Sequence, residues 1–273
     1  MDVPPVELAP RQLILSLYGL YARAEGSWLS VASLIALMDA LGVDGASVRS
    51  SVSRLKRRGV LESLRRDGRA GYALSDEAVE LLSEGDVRIW SRPRATAADG
   101  WLVVVFSVPE TEREKRHALR STLTRLGFGT AAPGVWVAPG TAYAETARAL
   151  QRQGLASYTE FFRGDYLGSG DVAARMREWW DLDQLEKLYD EFRVAWEPAL
   201  SASRRPGARE AFATYVPMLT AWRRLPYLDP GLPLAHLPAD WAGIRAGEVF
   251  AGLDAWLRGP AAEFALPVVH GQG

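Results

Sequence analysis

Two short apolar stretches, residues 60–64 and 72–74, flank the string Arg65-Arg66-Asp67-Gly68-Arg69 and leave the chain little choice of local structure. Asp-Gly between strands favours a two-residue turn with positive φ at both central positions, so a hairpin with three arginines at its tip is expected. Upstream, the spacing predicts three amphipathic helices. Residues 10–23 carry Leu13, Ile14, Leu17, Leu20 and Tyr21 as one stripe. After a break at Glu25-Gly26, Ser30 is placed to cap a second helix with Val31, Leu34, Ile35, Met38 and Leu41 inward and Gly42 at its end. A third, from about Ala46 to Arg58, buries Val48, Val52 and Leu55 at i, i+4 and i+7. Ser75 then caps a short amphipathic helix through Leu82. Three helices followed by a basic hairpin are the order of a winged helix-turn-helix, whose third helix enters the major groove while the wing touches the backbone.

The outer face of that third helix is informative. At 100° per residue, Ser50, Ser53, Arg54 and Arg57 centre on the side away from the apolar seam, with Ser47 and Arg49 at its flanks. Serine lets a helix approach base edges closely, and arginine can grip guanine with two hydrogen bonds or reach a phosphate. Such a face can also be merely solvated. Charge placement separates the two readings: residues 45–70 hold eight basic and two acidic side chains, a local charge of +6 in a chain of net charge −1, so the remainder sums to −7. A cationic patch in an otherwise acidic chain suits a phosphate backbone. The expected DNA contacts are Ser47, Arg49, Ser50, Ser53, Arg54 and Arg57 on the helix, with Arg65, Arg66 and Arg69 on the wing.

Residues 99–167 have a different rhythm. An apolar run at 101–108 precedes a charged helix at 110–126 with Leu119, Leu123 and Leu126 inward. Then come Gly127, a strand holding Val135, Trp136 and Val137, a helix at 142–153 and a strand at 158–162. Strand, helix, strands, helix, strand describes a ferredoxin-like sandwich. Residues 95–100 read as the linker before it, and Pro133-Gly134 and Pro139-Gly140 mark turns. Beyond Gly170 the chain is helical. One stripe is Leu185, Leu188, Tyr189, Phe192 and Trp196, a second Phe212, Tyr215, Val216, Leu219 and Trp222. Pro226, Pro230, Pro233 and Pro238 then interrupt the pattern before a last helix with Trp241, Ile244, Phe250, Leu253 and Leu257. Six of the ten tryptophans (Trp179, Trp180, Trp196, Trp222, Trp241, Trp256) lie in this half, as core or as the lining of an aryl or acyl pocket. The fold class expected is α+β multidomain, with boundaries at 1–92, 93–168 and 169–273.

Several function classes are disfavoured. The chain has no cysteine, so thiol nucleophiles, disulfides and thiolate metal sites are excluded, and His117, His236 and His270 are far apart in sequence. Neither a metal nor a cofactor is expected. No run approaches the ~18 apolar residues of a membrane span, and the first residues lack a signal-peptide pattern, so no membrane partner and a cytoplasmic location are expected.

Over nearly its whole length the sequence resembles the phenylacetic acid degradation repressor family, the PaaX-like regulators. The strings that carry the likeness are RQLILSLYGLY and VRSSVSRLKRRGVL, then WLVVVFSVPETEREKRHALRSTLTRLGFG with GVWVAP, then RRLPYLDPGLPLAHLPADWAG. The resemblance implies a winged helix, a middle domain similar to the Cas2 fold that helps dimerisation, and a mostly helical C-terminal effector domain. It implies a homodimeric repressor on an inverted-repeat operator, released by an acyl-coenzyme A effector, phenylacetyl-coenzyme A in the best-known members. DNA reading carries over to residues 48–55 and, less directly, the effector domain to residues 223–233. Trp222, Arg223 and Arg224 are the effector-binding candidates, arginine being suited to coenzyme phosphates.

Two enzymatic alternatives are weighed. A Cas2-like metal nuclease needs a carboxylate at the end of the first sandwich strand, where a hard oxygen would hold a divalent ion. Ser107 stands there, and Glu110 lies past a proline. An acyl-coenzyme A thioesterase would have to use His236 and Asp240, and no Gly-x-Ser-x-Gly elbow is present. No catalytic residue is assigned.

Overall fold

Pro10 stands at the first helical position, where its missing N–H is no loss, and the Ala9 N–H is satisfied by the Gln12 side chain at 3.1 Å. The computed structural model that contains this helix describes residues 8–91, 94–168, 171–201 and 204–271. Helix α1 (Pro10–Leu17) does not run uniformly to residue 23 as the stripe predicts. It widens into a π-helical turn at Tyr18–Ala22, and the buried Tyr18 hydroxyl donates to the Tyr72 carbonyl at 2.8 Å. Next come β1 (Trp28–Ser30), α2 (Val31–Asp39), α3 (Gly45–Arg57), β2 (Leu61–Arg66), β3 (Arg69–Leu74) and α4 (Asp76–Asp86). Ser30 caps α2 by accepting from the Ser33 N–H at 2.9 Å, and Ser75 caps α4 from Ala78. Ile14, Leu17, Leu29, Leu34, Leu37 and Leu61 form the buried centre, with Val48, Val52 and Leu55 of α3 packed inward as the spacing predicts.

The wing is three-stranded, ordered β1-β3-β2 and antiparallel throughout. At its tip Asp67 and Gly68 have φ of 51° and 74°, the turn that Asp-Gly favours. Strand β1 is absent from the sequence reading, because three residues are too few to show alternation. Where β1 crosses β3, Gly71 leaves room for its neighbour: a Cβ there would overlap the Leu29 carbonyl oxygen and stand 2.5 Å from the Trp28 ring. Gly71→Ala is therefore expected to lose about 1–3 kcal/mol of stability in urea unfolding, from overpacking that backbone cannot relieve.

The middle of the chain supplies β4 (Trp101–Phe106), α5 (Arg113–Arg125), β5 (Gly129–Ala132), β6 (Val135–Pro139), α6 (Tyr143–Arg152) and β7 (Thr159–Gly164). Strand order β5-β6-β4-β7, all antiparallel, with two helices on one face is the ferredoxin-like arrangement. Leu102 and Val104 of β4 pack with Leu123, Leu126, Trp136 and Ala149 in its core. Residues 95–100, expected as a plain linker, are fastened: the Ala95 N–H donates to the Gly231 carbonyl at 3.0 Å, and Asp99 accepts from Thr96 in a short 3₁₀ turn.

The rest is helical: α7 (Val172–Trp179), α8 (Leu182–Leu200), α9 (Ala208–Trp222), α10 (Leu225–Leu228) and α11 (Ala242–Val269). The stripes of α8 and α9 are buried, Leu188 only partly. Ile244, placed inward by the sequence, is 39% exposed. Phe250, Leu253 and Leu257 set the phase of α11, and six residues back from Phe250 lies 120° off that stripe. The described chain forms two units: Met1–Trp90 with Glu191–Arg223 and Arg245–Gly273, and Ser91–Asp190 with Arg224–Ile244. Within the first, α9 is fixed to α1 by a buried 2.7 Å hydrogen bond between the Ser16 and Thr220 hydroxyls. Within the second, the Trp180 indole N–H donates to the Gly127 carbonyl at 2.9 Å.

Candidate nucleic-acid interface

The sequence starts α3 one residue late and overlooks its cap. Asp44 accepts from the Ala46 N–H at 2.8 Å, the Ser47 N–H at 2.9 Å and the Ser47 hydroxyl at 2.6 Å. The Ser47 hydroxyl, then its N–H, hold this carboxyl below its ordinary pKa. The stability it adds is thus present above the ordinary carboxylate range and is lost as pH falls through the lowered folded value. Asp44→Ala is expected to melt below wild type at pH 7, with the two transitions converging under acid conditions, as thermal denaturation across pH will read. Ser47 is half-buried and its hydroxyl already serves this cap.

Along α3, Arg49, Ser50, Ser53, Arg54 and Arg57 are all exposed, while Val48, Ser51, Val52 and Leu55 face the core. The hydroxyls and guanidiniums of the predicted face therefore stand together on solvent. Arg54 rests on the Ser50 hydroxyl at 3.2 Å, one turn back. Arg54, Lys56 and Arg57 lie in the last turn, where cations oppose the negative end of the helix dipole. Lys56, which the sequence reading left aside, donates to Ser63 of β2 at 2.6 Å and lies over the Tyr72 ring, tying helix to wing.

The three wing arginines differ in their surroundings. Arg65 donates to the Gly68 carbonyl at 2.6 Å and stays exposed beside the turn. Arg66 reaches back to the Gly26 carbonyl at 3.2 Å, and both it and Arg69 stack on Trp28, 5.4 and 5.6 Å from the ring centroid. Trp28 in turn donates to the Leu64 carbonyl at 3.1 Å. Trp28 is thus a platform that fixes two wing cations, a role the sequence does not signal. Gly271 lies against the Arg69 guanidinium, and His270 meets Glu25 at 3.1 Å.

The effector candidates, adjacent in sequence, differ in their surroundings. Trp222 is buried, stacked on Phe250 at 4.5 Å and 9°, with Phe192 at 5.2 Å, and its N–H donates to the Ile89 carbonyl. Arg223 donates to the Gln12 carbonyl at 3.0 Å. Arg224 is exposed. The Pro-rich stretch after them turns around buried Asp229, whose carboxylate accepts from Arg94 at 2.5 Å, Tyr189 at 2.8 Å and the Gly231 N–H at 2.7 Å.

At the enzymatic alternatives' positions, Ser107 is exposed, and Glu110 is shared between Arg113 at 2.6 Å and Arg116 at 3.0 Å. His236 sits half-buried on a 3₁₀ turn, and Asp240 is exposed. Among the described residues no group of three or more His, Asp or Glu side chains comes together to hold a metal ion, and no helix is long and apolar enough to cross a membrane.

These features define a class: a multidomain α+β chain with an N-terminal winged helix and a ferredoxin-like middle. Three family models match it in succession: the PaaX-like protein model over residues 9–78, the PaaX protein central Cas2-like domain over 94–176 and the PaaX-like protein C-terminal domain over 180–266. The chain belongs to the PaaX-like family. It is 28% identical over 255 residues to the transcriptional repressor PaaX of Escherichia coli (strain K12), covering 90% of this chain and 80% of that protein. Its fold is similar to that of an uncharacterized protein, Rv0674, from Mycobacterium tuberculosis, with a TM-score of 0.57, 22% identity, and coverage of 92% of this chain and 97% of that one.

Proposed function

We propose that this protein is a DNA-binding transcriptional repressor, acting as a cytoplasmic homodimer rather than as an enzyme. The exposed Arg49, Ser50, Ser53, Arg54 and Arg57 on one face of α3, tied through Lys56 to a wing carrying Arg65, Arg66 and Arg69, carry this reading. Family membership and the named repressor among its relatives support it. The work divides along the chain: residues 1–92 grip DNA, 93–168 dimerise, and 169–273 bind the effector. A two-fold dimer presents two α3 helices to successive major grooves of an inverted repeat, with half-sites about 34–36 Å apart or a multiple of that. The wing cations hold the backbone, and the α3 face reads bases.

The effector is an acyl-coenzyme A thioester such as phenylacetyl-coenzyme A. It dislodges the protein only by binding the DNA-incompetent arrangement more tightly, so a coupling of about 1–3 kcal/mol weakens ligand and operator binding reciprocally. Trp222, Arg223 and Arg224 are the residues first proposed for it. The core stacking of Trp222 and the helix tie of Arg223 give them, in this scheme, the part of transmitting an effector's binding to α1. Selection of duplexes from a random pool by the full-length chain tests the DNA reading: an enriched inverted repeat is expected, and a pool that stays random contradicts it. Adding phenylacetyl-coenzyme A to the selected complex then releases the DNA if the effector class is right.

A further inference from the structure

A second cationic surface lies outside the winged helix, on α5 of the sandwich. Leu119, Thr122 and Leu123 turn inward, and the opposite side exposes Arg113, Glu114, His117, Arg120, Ser121, Thr124 and Arg125. The composition is close to that of the α3 face, guanidiniums interleaved with small hydroxyls, with Glu114 as one acid added near its start. Residues 110–153 hold seven basic and four acidic side chains, so this layer is +3. With the +6 of residues 45–70, all other residues together carry −10.

The acids near α5 do not cancel this charge: residues 110–125 hold five basic side chains against Glu110, Glu112 and Glu114, and Glu114 is the one acid on the outward face. Glu110 serves two guanidiniums, those of Arg113 and Arg116, leaving one positive charge over. Glu112 is held by Lys115 and by the Tyr158 hydroxyl at 2.7 Å. Among the described residues no ion pair engages Arg120 or Arg125. From Arg113 to Thr124 the face extends about 16 Å, the axial length over which one DNA strand presents roughly five phosphates.

We propose that the outward face of α5 binds the phosphate backbone of duplex DNA without regard to base sequence. This rests on the repressor reading and deepens it, because the sandwich then contributes affinity as well as assembly. Arginine on a helix face meets phosphate with paired donors, and serine or threonine hydroxyls add further donors at close approach. An acidic protein partner is the other occupant such a face could accept, and the test separates the two.

The experiment compares the full-length wild type with Arg120→Ala/Arg125→Ala by fluorescence anisotropy, on the selected site and on a scrambled duplex, from 50 mM to 1 M salt. Loss of two phosphate contacts should flatten the log–log salt slope by about 1.8. With the curves converging at 1 M, that is a weakening on the order of a hundredfold at 50 mM, by the same factor on both duplexes. Thermal denaturation matching wild type shows that the fold is kept. A variant whose slope equals that of wild type on both duplexes overturns the inference and assigns the face to an acidic protein. A wild-type chain that binds no duplex at 50 mM overturns the repressor reading itself.

Discussion

Asp229→Ala is expected to cost about 3–5 kcal/mol of folding free energy, the range for breaking a buried ion pair from one side. The magnitude follows from what depends on this one carboxylate. It is buried, and it accepts from the Arg94 guanidinium, the Tyr189 hydroxyl and the Gly231 N–H, so three donors lose their acceptor at once. Arg94 additionally donates to the Leu232 carbonyl at 3.3 Å, and its neighbour Ala95 donates to Gly231. The carboxylate thereby fastens the start of the sandwich to the Pro-rich turn 135 residues later. Asp229→Asn keeps the shape and one good acceptor while presenting no charge to Arg94, and should fall between wild type and the alanine variant. Urea unfolding followed by tryptophan fluorescence measures both. A loss below about 1 kcal/mol for Asp229→Ala would show that the network contributes little.

Arg54→Ala is expected to weaken operator binding by about 1–3 kcal/mol, or roughly five- to 150-fold, and to relax sequence preference at one position in each half-site. Arg54 is exposed on the centre of the α3 face, and among the described residues its side chain is held by the Ser50 hydroxyl alone, so removal leaves the helix intact. Arg65→Ala at the wing should instead weaken all duplexes alike and reduce the salt slope by about one, because phosphate contacts position without reading sequence. Anisotropy titrations against the selected site and single-base variants distinguish the two behaviours. Equal losses on every duplex for Arg54→Ala would move that side chain from base to backbone.

What was legible in the sequence follows range. The Asp67-Gly68 turn, the caps at Ser30 and Ser75 and the inward Val48, Val52 and Leu55 depend on residues a few positions apart, and each stands where its spacing places it. So does the sandwich, whose strands and helices alternate strongly. The platform under Arg66 and Arg69 was not legible, because Trp28 reaches them through a three-residue strand paired to β3, forty residues away. Nor was Asp229, whose partners lie 135 and 40 residues off in the chain. The aromatic stripes show a different limit. Periodicity states that Trp222 faces inward, and only the Phe250 ring stacked on it and the Ile89 carbonyl receiving its N–H show what it meets there. Asp44 could have been found, since an aspartate just before a helical pattern is a start signal in its own right.

The placement of α3 in the major groove is tested most directly by dimethyl sulfate footprinting, which reads the guanine N7 atoms exposed in that groove. With wild type saturating the selected duplex, guanines in two half-sites about one helical turn or a multiple apart should be protected, and Arg54→Ala should restore reactivity at one guanine in each. Full N7 reactivity on a duplex that the protein has demonstrably bound would contradict the account.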